Sequence, residues 1–500
     1  MKKLVVLIVA IGAILIPAST VHASDGDLDT SWGGTGVVIS SHADPSTAYA
    51  IATYPGDRVL AVGSLTDGPS SRILINRFLA NGVLDPDCEV NGEFLDTGRD
   101  AVAGDVVVLV DGSFVITGTM QIDNKATLFL AKFTSACRFE NSFGDDGIAT
   151  YSASGGTSGR ALVVQPDGKI VVVGDEYPSG SDNSDQRILV TRFTASGDVD
   201  DEFGSGGSFI SSENEKGQAQ DVVIGSAGQI IFAGSIIGTT APDAAIVGRL
   251  TSNGQLDPDF AAQGYFIDEL GGDPQLNSIA LRANGNLVAV GSYIDSTAES
   301  TKSILVVCLN SAGGFDTECA PSGWGYFADN AVDATANSVV ITEDGFIILG
   351  GTVFPISGDP ANPYVMRLDH TANLDLSFAD HGVWAGSTLI ARIHSVSIQN
   401  DGRIIAAGTI EDQGIASLGV IRLTNTVTVT TSTTTSTSTS TTTSTTAAPL
   451  VTTTAIVAAA TTIVANQLPA TGRDENGLLF AVAVFGIGIL LMGMRRRALR

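Results

Sequence analysis

Clustered acidic residues are the first candidates for chemistry in this sequence. Asp25, Asp27 and Asp29 form a D-x-D-x-D string, a spacing that calcium sites use, though the Gly and the distant Glu of an EF-hand loop are absent. Calcium is the one cofactor this spacing suggests, and no other metal-ligand set stands out. Carboxylate pairs of the kind a glycosidase needs are so abundant that none is specific. Of five histidines one lies near the start, and His42, His370, His381 and His394 are dispersed. There is no HExxH, GxSxG or GxxxxGK[ST]. Four cysteines occur without CxxC or a Cys/His pair, which favours disulfides over metal ligation in an exported chain.

The acidic signal that does recur is a turn followed by an aromatic. It reads LDTSWG at Leu28, LDPDC at Leu84, FENSFG at Phe139, VDDEFG at Val199, LDPDF at Leu256, FDTEC at Phe315 and LDLSF at Leu374. Its acids are Asp29, Asp85, Glu140, Asp200, Asp257, Asp316 and Asp375. Such an acid can accept backbone N–H bonds inside its own turn, and the aromatic can plug the gap between neighbouring sheets. Seven copies at equivalent positions suit packing better than a single catalytic centre. Superposition of the copies puts Cys88 and Cys319 at the aromatic position, and Cys308 where Arg77 and Arg192 sit on the preceding strand. This predicts a Cys308–Cys319 disulfide within one repeat and, by elimination, Cys88–Cys137.

The elements that must position these turns follow from a second recurring mark. A hydrophobic strand leads into a two-residue turn and then an apolar strand ending in Gly. The turns are Gly56-Asp57, Asp111-Gly112, Asp167-Gly168, Ala227-Gly228, Asn284-Gly285, Asp344-Gly345 and Asp401-Gly402. Asp-Gly and Asn-Gly predict type I′ hairpins, which need positive φ at both central residues. The closing glycines, Gly63, Gly118, Gly174, Gly234, Gly291, Gly351 and Gly408, are spaced by 55, 56, 60, 57, 60 and 57 residues. Runs such as Ile170–Val173 lack alternation, as in strands buried on both faces. A third strand ends in Arg or Lys plus a large apolar residue (Arg77-Phe78, Lys132-Phe133, Arg192-Phe193, Arg249-Leu250, Arg367-Leu368, Arg422-Leu423), and a fourth follows the aromatic turn.

Four strands per unit, seven units and no helical periodicity predict an all-β, seven-bladed β-propeller over 24–424. The phase of the chain favours a ring over a solenoid. The first acidic turn precedes the first hairpin, and none follows Arg422-Leu423, so the N-terminal LDTSWGGTGVV supplies the missing piece of the seventh unit. A solenoid would instead need capping units. The pattern PDGKIVVVG followed by TRFTASGDVDDEFGSGG resembles the bacterial delta-60 repeat, a propeller-type repeat of secreted and surface proteins. The resemblance spans about residues 24–424 and is most specific over Ala161–Gly207. It implies no catalytic residues.

The chain ends predict location. Residues 1–23 read as a secretory signal: Lys2 and Lys3, an apolar run, then Val21-His22-Ala23 before Ser24, giving cleavage between Ala23 and Ser24. Residues 425–467 carry no charge and are dominated by Thr and Ser, a composition that cannot bury a core. Fully extended, such a stalk would reach on the order of 140 Å. Then come Leu468-Pro469-Ala470-Thr471-Gly472, an apolar run at 478–494, and a basic tail at 495–500. This order resembles the LPxTG sorting signal of Gram-positive surface proteins. The resemblance implies that a sortase cuts between Thr471 and Gly472 and joins Thr471 to peptidoglycan, after transient membrane insertion of a helix over 478–494. The apolar run is barely long enough to span, and the arginines hold the tail in the cytoplasm.

Charge is uneven. Of 26 Lys+Arg and 53 Asp+Glu, the 24–424 block holds 19 and 51, a net −32. Such a surface repels nucleic acid and anionic lipid. The sequence therefore reads as a monomeric, non-enzymatic, wall-anchored propeller that binds a glycan or a host or matrix protein. The alternatives are a surface polysaccharide hydrolase or lyase with channel carboxylates, or a structural wall component. Variable loops follow the closing glycines at Asp175–Gln186, Ile236–Asp243, Asp295–Ser303 and Val353–Pro363. They are expected to gather on one side of the ring and to carry specificity.

Overall fold

The computed structural model describes residues 24–425 except 41, 43, 69, 90–93, 96–98, 154, 179–184, 213–214, 238–242, 269, 296–300, 328–331, 356–359, 387–390 and 413, together with two short strands at 427–429 and 463–465. The leader at 1–23, the remainder of the Thr/Ser stretch and the whole of 468–500 lie outside the described residues, as do the middles of the four variable loops.

Seven four-stranded antiparallel sheets form the seven blades of a propeller. From the axis outward, blade 3 is Gly156–Val164, Ile170–Tyr177, Arg187–Phe193 and Ser208–Ile210. Blades 1, 2, 4, 5 and 6 repeat this order, with inner strands Ser46–Tyr54, Ala101–Val108, Gly217–Ile224, Gly272–Leu281 and Val332–Ile341. Blade 7 takes three strands from the C-terminal end (Ala391–Ile398, Ile404–Asp412, Ile415–Leu423) and its outer strand from the N-terminal end, Val37–Ser40. Val37 pairs with Ile421 and Ser40 with Leu418, so the ring closes as the phase of the repeats predicts. Closure completes blade 7 to four strands, and the edges that remain in each blade are short.

The runs without alternation are buried on both faces because each sheet is covered by a neighbour on either side. Val171, Val172 and Val173 are fully buried. Apolar clusters accordingly sit between consecutive blades. One joins blades 3 and 4 through Val173, Val190, Phe203 and Phe232. Another joins blades 7 and 1 through Trp32, Leu74, Phe78, Leu418 and Val420.

The tight turns differ from the type I′ expectation. In six of them only the glycine has positive φ, as at Gly112 (81°), Gly168 (84°) and Gly285 (84°). In blade 3 the Gly168 N–H donates to the Gln165 carbonyl at 2.9 Å, and the Gln165 N–H donates to the Lys169 carbonyl at 2.8 Å. That is a type I turn closed by a left-handed glycine, a geometry that also matches the strand twist. It needs one positive φ rather than two, and it gives Pro166 a position suited to its fixed negative φ. The Pro55-Gly56-Asp57 turn is the exception, with positive φ at both Gly56 and Asp57.

Strand direction divides the disc into two faces. The tight turns and the acidic turns lie on one, the turn face, where Lys169 Nζ of a tight turn reaches Asp200 of an acidic turn at 2.8 Å. The variable loops and the connections from each outer strand to the next inner strand lie on the other, the loop face. Both ends of the propeller chain meet on the turn face. The Gly26 N–H donates to the Thr424 carbonyl at 2.7 Å, and the Thr424 N–H to the Asp27 carbonyl at 2.8 Å. Asn425, which composition assigns to the stalk, is instead buried, and its Nδ2 donates to the Gly402 carbonyl at 2.9 Å.

Candidate functional site

The repeated acidic turn forms a belt that joins the blades. In blade 3, Asp200 Oδ1 accepts the Glu202 N–H while Oδ2 accepts Arg192 Nε at 2.7 Å. The Arg192 guanidinium lies over the Phe203 ring at 4.7 Å and donates through NH1 to the Ser252 carbonyl of blade 4 at 2.6 Å. Arg249, Asp257 and Phe260 repeat this, as do Arg422, Asp29 and Trp32 across the closure. Arg367 and Asp375 pair at 2.7 Å beneath Phe378, and Arg367 also takes Asp25 and Asn425, tying both chain ends to blade 6. Burial pulls the Asp200 carboxyl upward, but Lys169 and Arg192 more than offset it and hold it below the usual range. Arg–Asp pairs this enclosed leave an uncompensated buried charge when one partner is lost. The sequence reading assigns these acids to the scaffold. It missed the arginine, although the eight-residue interval from Arg77 to Asp85, Arg192 to Asp200 and Arg367 to Asp375 was visible.

Both disulfides replace parts of this belt. Cys308 and Cys319 are bonded and occupy the positions of the arginine and the aromatic within blade 5. Cys88 of blade 1 is bonded to Cys137 of blade 2. In other seams a glycine abuts the neighbouring aromatic: a Cβ on Gly197 would stand 3.1 Å from Phe143, and one on Gly254 2.8 Å from Phe203. Cys137 occupies that glycine position, at φ 60°, opposite the one seam plug that is Cys88.

The D-x-D-x-D string does not converge. Asp25 turns to Arg367, Asp27 accepts the Ser24 N–H at 2.7 Å, and Asp29 turns to Arg422 and Arg403. Among the described residues no group of three or more His, Cys, Asp or Glu side chains is placed to hold a metal. An open cleft between blades 3 and 4, lined by Gln165, Lys169, Arg192, Glu202 and Gln255, belongs to the belt.

A feature that sequence reasoning missed lies at the axis. Every inner strand carries a β-bulge at the same register, opposite the closing glycine. In blade 3 Gly159 pairs with Gly174 and Ala161 with Val173, leaving Arg160 unpaired. The equivalent unpaired residues are Tyr49, Gly104, Gln220, Asn277, Asn337 and His394. The residue before each bulge is small or apolar and buried, whereas the bulge residues keep partial exposure on the innermost strand, hence toward the channel. A bulge re-aims a side chain and often stands next to a site. Here the seven copies differ, with an aromatic, a glycine, an arginine, three amides and a histidine at one structural position. That disagreement between copies was the signal available in the sequence.

In five of the blades the next residue ties the bulge to the neighbouring blade. Ser278 Oγ accepts the Val339 N–H at 3.2 Å, Ser338 Oγ the Val396 N–H at 3.1 Å, and Ser395 Oγ the Ile51 N–H at 3.3 Å. Asp105 Oδ2 accepts the Leu162 N–H and Asp221 Oδ2 the Ile279 N–H, each at 2.9 Å. The Asp105 carboxyl, enclosed against blade 3, is pushed up to about 7 by burial, with Asp221 adding to the rise. Asp221 is raised by its own burial.

The channel positions are mostly polar, blade 2 with Val102 and Gly104 being the exception, and two successive rings are free of carboxylates. One ring is the bulge set. The other, two residues earlier on each inner strand, is Thr47, Val102, Ser158, Gln218, Gln275, Thr335 and Arg392. Arg160 Nε donates to the fully buried Asp175 at 2.7 Å on the next strand, and its NH1 and NH2 reach Gln220 and Gln218. Arg392 meets no carboxylate among the described residues; its guanidinium lies 5.3 Å from the Phe354 ring. His394 faces Tyr49 at 5.5 Å between ring centroids. Burial, helped by the Arg392 charge, pushes the His394 imidazole down to about 4, so it is neutral near pH 7. The remaining histidines, His42, His370 and His381, are not brought together with it. The two rings present amides, hydroxyls, aromatics and cations to the channel.

A family model described as a domain of unknown function (DUF5122) beta-propeller matches residues 165–203, about two thirds of one repeat. No curated protein matches this chain. Among solved structures, a glucose dehydrogenase is similar at 13% identity and a TM-score of 0.33, covering 77% of this chain and 98% of its own. The Penicillium chrysogenum α-L-arabinanase complexed with arabinobiose is similar at 13% identity and a TM-score of 0.40, over 66% of this chain and 94% of its own. YCF48 bound to D1 peptide is similar at 10% identity and a TM-score of 0.39, over 81% and 98%. Superpositions this loose say nothing about ligand or reaction.

Proposed function

We propose that this protein is a Gram-positive cell-surface binding module. The propeller is carried outward on the Thr/Ser stalk and joined to peptidoglycan through Thr471. The observation that carries the reading is the meeting of both chain ends on the turn face, with Asn425 held against Gly402 and Arg367. A stalk leaving from there turns the loop face and the polar mouth of the channel away from the wall. The side fixed to the stalk is then the one built of repeated scaffold, and the side presented to the surroundings is the one where the copies differ. The acidic turn face, with its buried Arg–Asp pairs, is used for assembly of the ring. Sortase and peptidoglycan are the partners of the C-terminal segment; a glycan or a matrix protein is the partner of the loop face.

Two measurements test this. Thr471→Ala should move the protein from the wall fraction to the membrane fraction or the medium, and unchanged wall attachment would refute the sortase step. The full chain on a glycan and matrix-protein array should bind without turnover. Product release would make it an enzyme instead, and no binding at all would leave a structural wall component.

A further inference from the structure

The loop-face half of the channel contains one seam whose chemistry is unspent. It lies where blades 6, 7 and 1 meet. Arg392 is exposed on an innermost strand, in a block of net charge −32, and meets no carboxylate among the described residues. The belt arginines show how this chain treats a cation it needs for folding: each is buried against an aspartate, as Arg192 is against Asp200 at 2.7 Å. Among the described residues Arg392 is set against the Phe354 ring, at 5.3 Å. Beside it, Thr409 Oγ1 donates to Thr47 Oγ1 at 3.0 Å, leaving hydroxyl lone pairs at the channel wall. One step deeper Tyr49, 38% exposed, stands against His394.

We propose that this seam binds an acidic saccharide. The Arg392 guanidinium takes the carboxylate, the Tyr49 and Phe354 rings take the apolar C–H faces of the sugar, and the Thr47 and Thr409 hydroxyls take its hydroxyls. A uronic acid presents these three surfaces together, whereas a neutral sugar leaves Arg392 unpaired and a simple carboxylate leaves the rings uncovered. Planar guanidinium groups bind carboxylates in two parallel hydrogen bonds. The neutral His394 imidazole adds a donor and an acceptor without a competing charge. Burial of the ligand between blades 7 and 1 would also clamp the closing seam, since Thr47 and Thr409 belong to different blades.

This deepens the binding-module reading and rests on it, but its test is done in solution and is independent of wall attachment. Calorimetric titration of the full chain with digalacturonate should show saturable binding. The methyl ester of the same disaccharide and acetate should each bind at least tenfold more weakly. Arg392→Gln should weaken digalacturonate at least tenfold, Arg392→Lys by less, and Tyr49→Ala about fivefold, all with unchanged thermal unfolding. Absence of saturable binding, equal binding of acetate or of the ester, or an Arg392→Gln protein that binds as the wild type would each overturn the proposal. The ester comparison uses the unaltered protein, so it decides the matter even if a variant fails to fold. Array binding that survives Arg392→Gln would remove this site and leave the binding module standing.

Discussion

Removal of one aromatic plug at the closing seam should open the ring there and nowhere else. Trp32 is fully buried and lies on the N-terminal segment, whereas its neighbours Leu418 and Val420 belong to the last blade and Leu74 and Phe78 to the first. The Arg422 guanidinium stands 4.7 Å from its ring, and the Phe78 ring lies 5.9 Å away. A buried Trp→Ala change costs about 3–5 kcal/mol through lost transfer energy and the cavity left behind. Loss of the cation–π contact adds roughly 1 kcal/mol, partly recovered because Arg422 keeps Asp29 at 2.9 Å. A net of about 4 kcal/mol is nearly three powers of ten in an opening equilibrium. Local unfolding on this scale is read by amide hydrogen exchange. In Trp32→Ala, exchange at 37–40 and 418–421 should accelerate by roughly a thousandfold. The seam between blades 3 and 4 should change little. Phe203→Ala should give the reverse pattern. Trp32→Phe should cost less than about 1.5 kcal/mol, because Phe143, Phe203, Phe260 and Phe378 fill the same place in other blades and the Trp32 Nε1 has no partner to lose. Less than tenfold acceleration at 37–40 in Trp32→Ala would refute the view that this plug holds the ring closed.

Two further outcomes follow from the seams. The Cys88–Cys137 bond spans 49 residues, for which chain-entropy reasoning gives about 4 kcal/mol. Cys88→Ser with Cys137→Ser should therefore lower the urea midpoint, whereas Cys88→Phe with Cys137→Gly should restore most of it by rebuilding the aromatic-on-glycine contact of Phe203 and Gly254; equal instability of the two doubles would show that the disulfide is not a substitute for the plug. The Asp105 carboxyl, raised to about 7 in the fold by burial, favours the protonated folded state. Its contribution is greatest below the unfolded value near 4, declines as pH rises to about 7, and is flat above, by a few kcal/mol in all. Thermal unfolding of Asp105→Asn measured against the wild type from pH 4 to 8 should lack that decline, and parallel curves would show that Asp105 is not the group responsible.

The repeat, the blade count and the closure were legible because each is written in local pattern. A buried strand shows as an apolar run, a turn as Asp-Gly, and a ring as a repeat whose first piece is out of phase. Less was legible where structure depends on what lies across a ladder. Asp167-Gly168 satisfies a type I′ turn or a type I turn with a left-handed glycine equally well by composition, and Pro166 decides for the second. The belt acids were recognisable as turn residues, since Asp85 and Asp200 cap their own turns. Their second oxygen, on Arg77 and Arg192, depends on a strand and a turn folding back eight residues apart. The bulges carry no local signature at all. A bulge is one residue more on one strand than on its partner, and neither strand records the difference alone.

That extra residue explains why variation concentrates at the axis. In an ordinary strand each side chain is committed to one face and each backbone group to a ladder bond. Ala219 and Val222 are buried between blades, and the Asp221 side chain accepts a bond from the neighbouring blade. Gln220, between them, has no ladder partner, so its side chain answers to neither constraint. Tyr49, Arg160, Asn277 and His394 likewise have no ladder partner, and two of them use that freedom for side-chain bonds, Arg160 to Asp175 and Asn277 to the Ala336 carbonyl of the next blade. A ring built from copies of one phrase faces a difficulty in making an asymmetric ligand site, because any residue needed for folding must recur in every blade. A bulge at one register in every inner strand removes that difficulty. It supplies positions around one channel at which the copies can differ, except where the next blade comes close, as at Gly104, whose added Cβ would stand 2.8 Å from the Arg160 carbonyl oxygen.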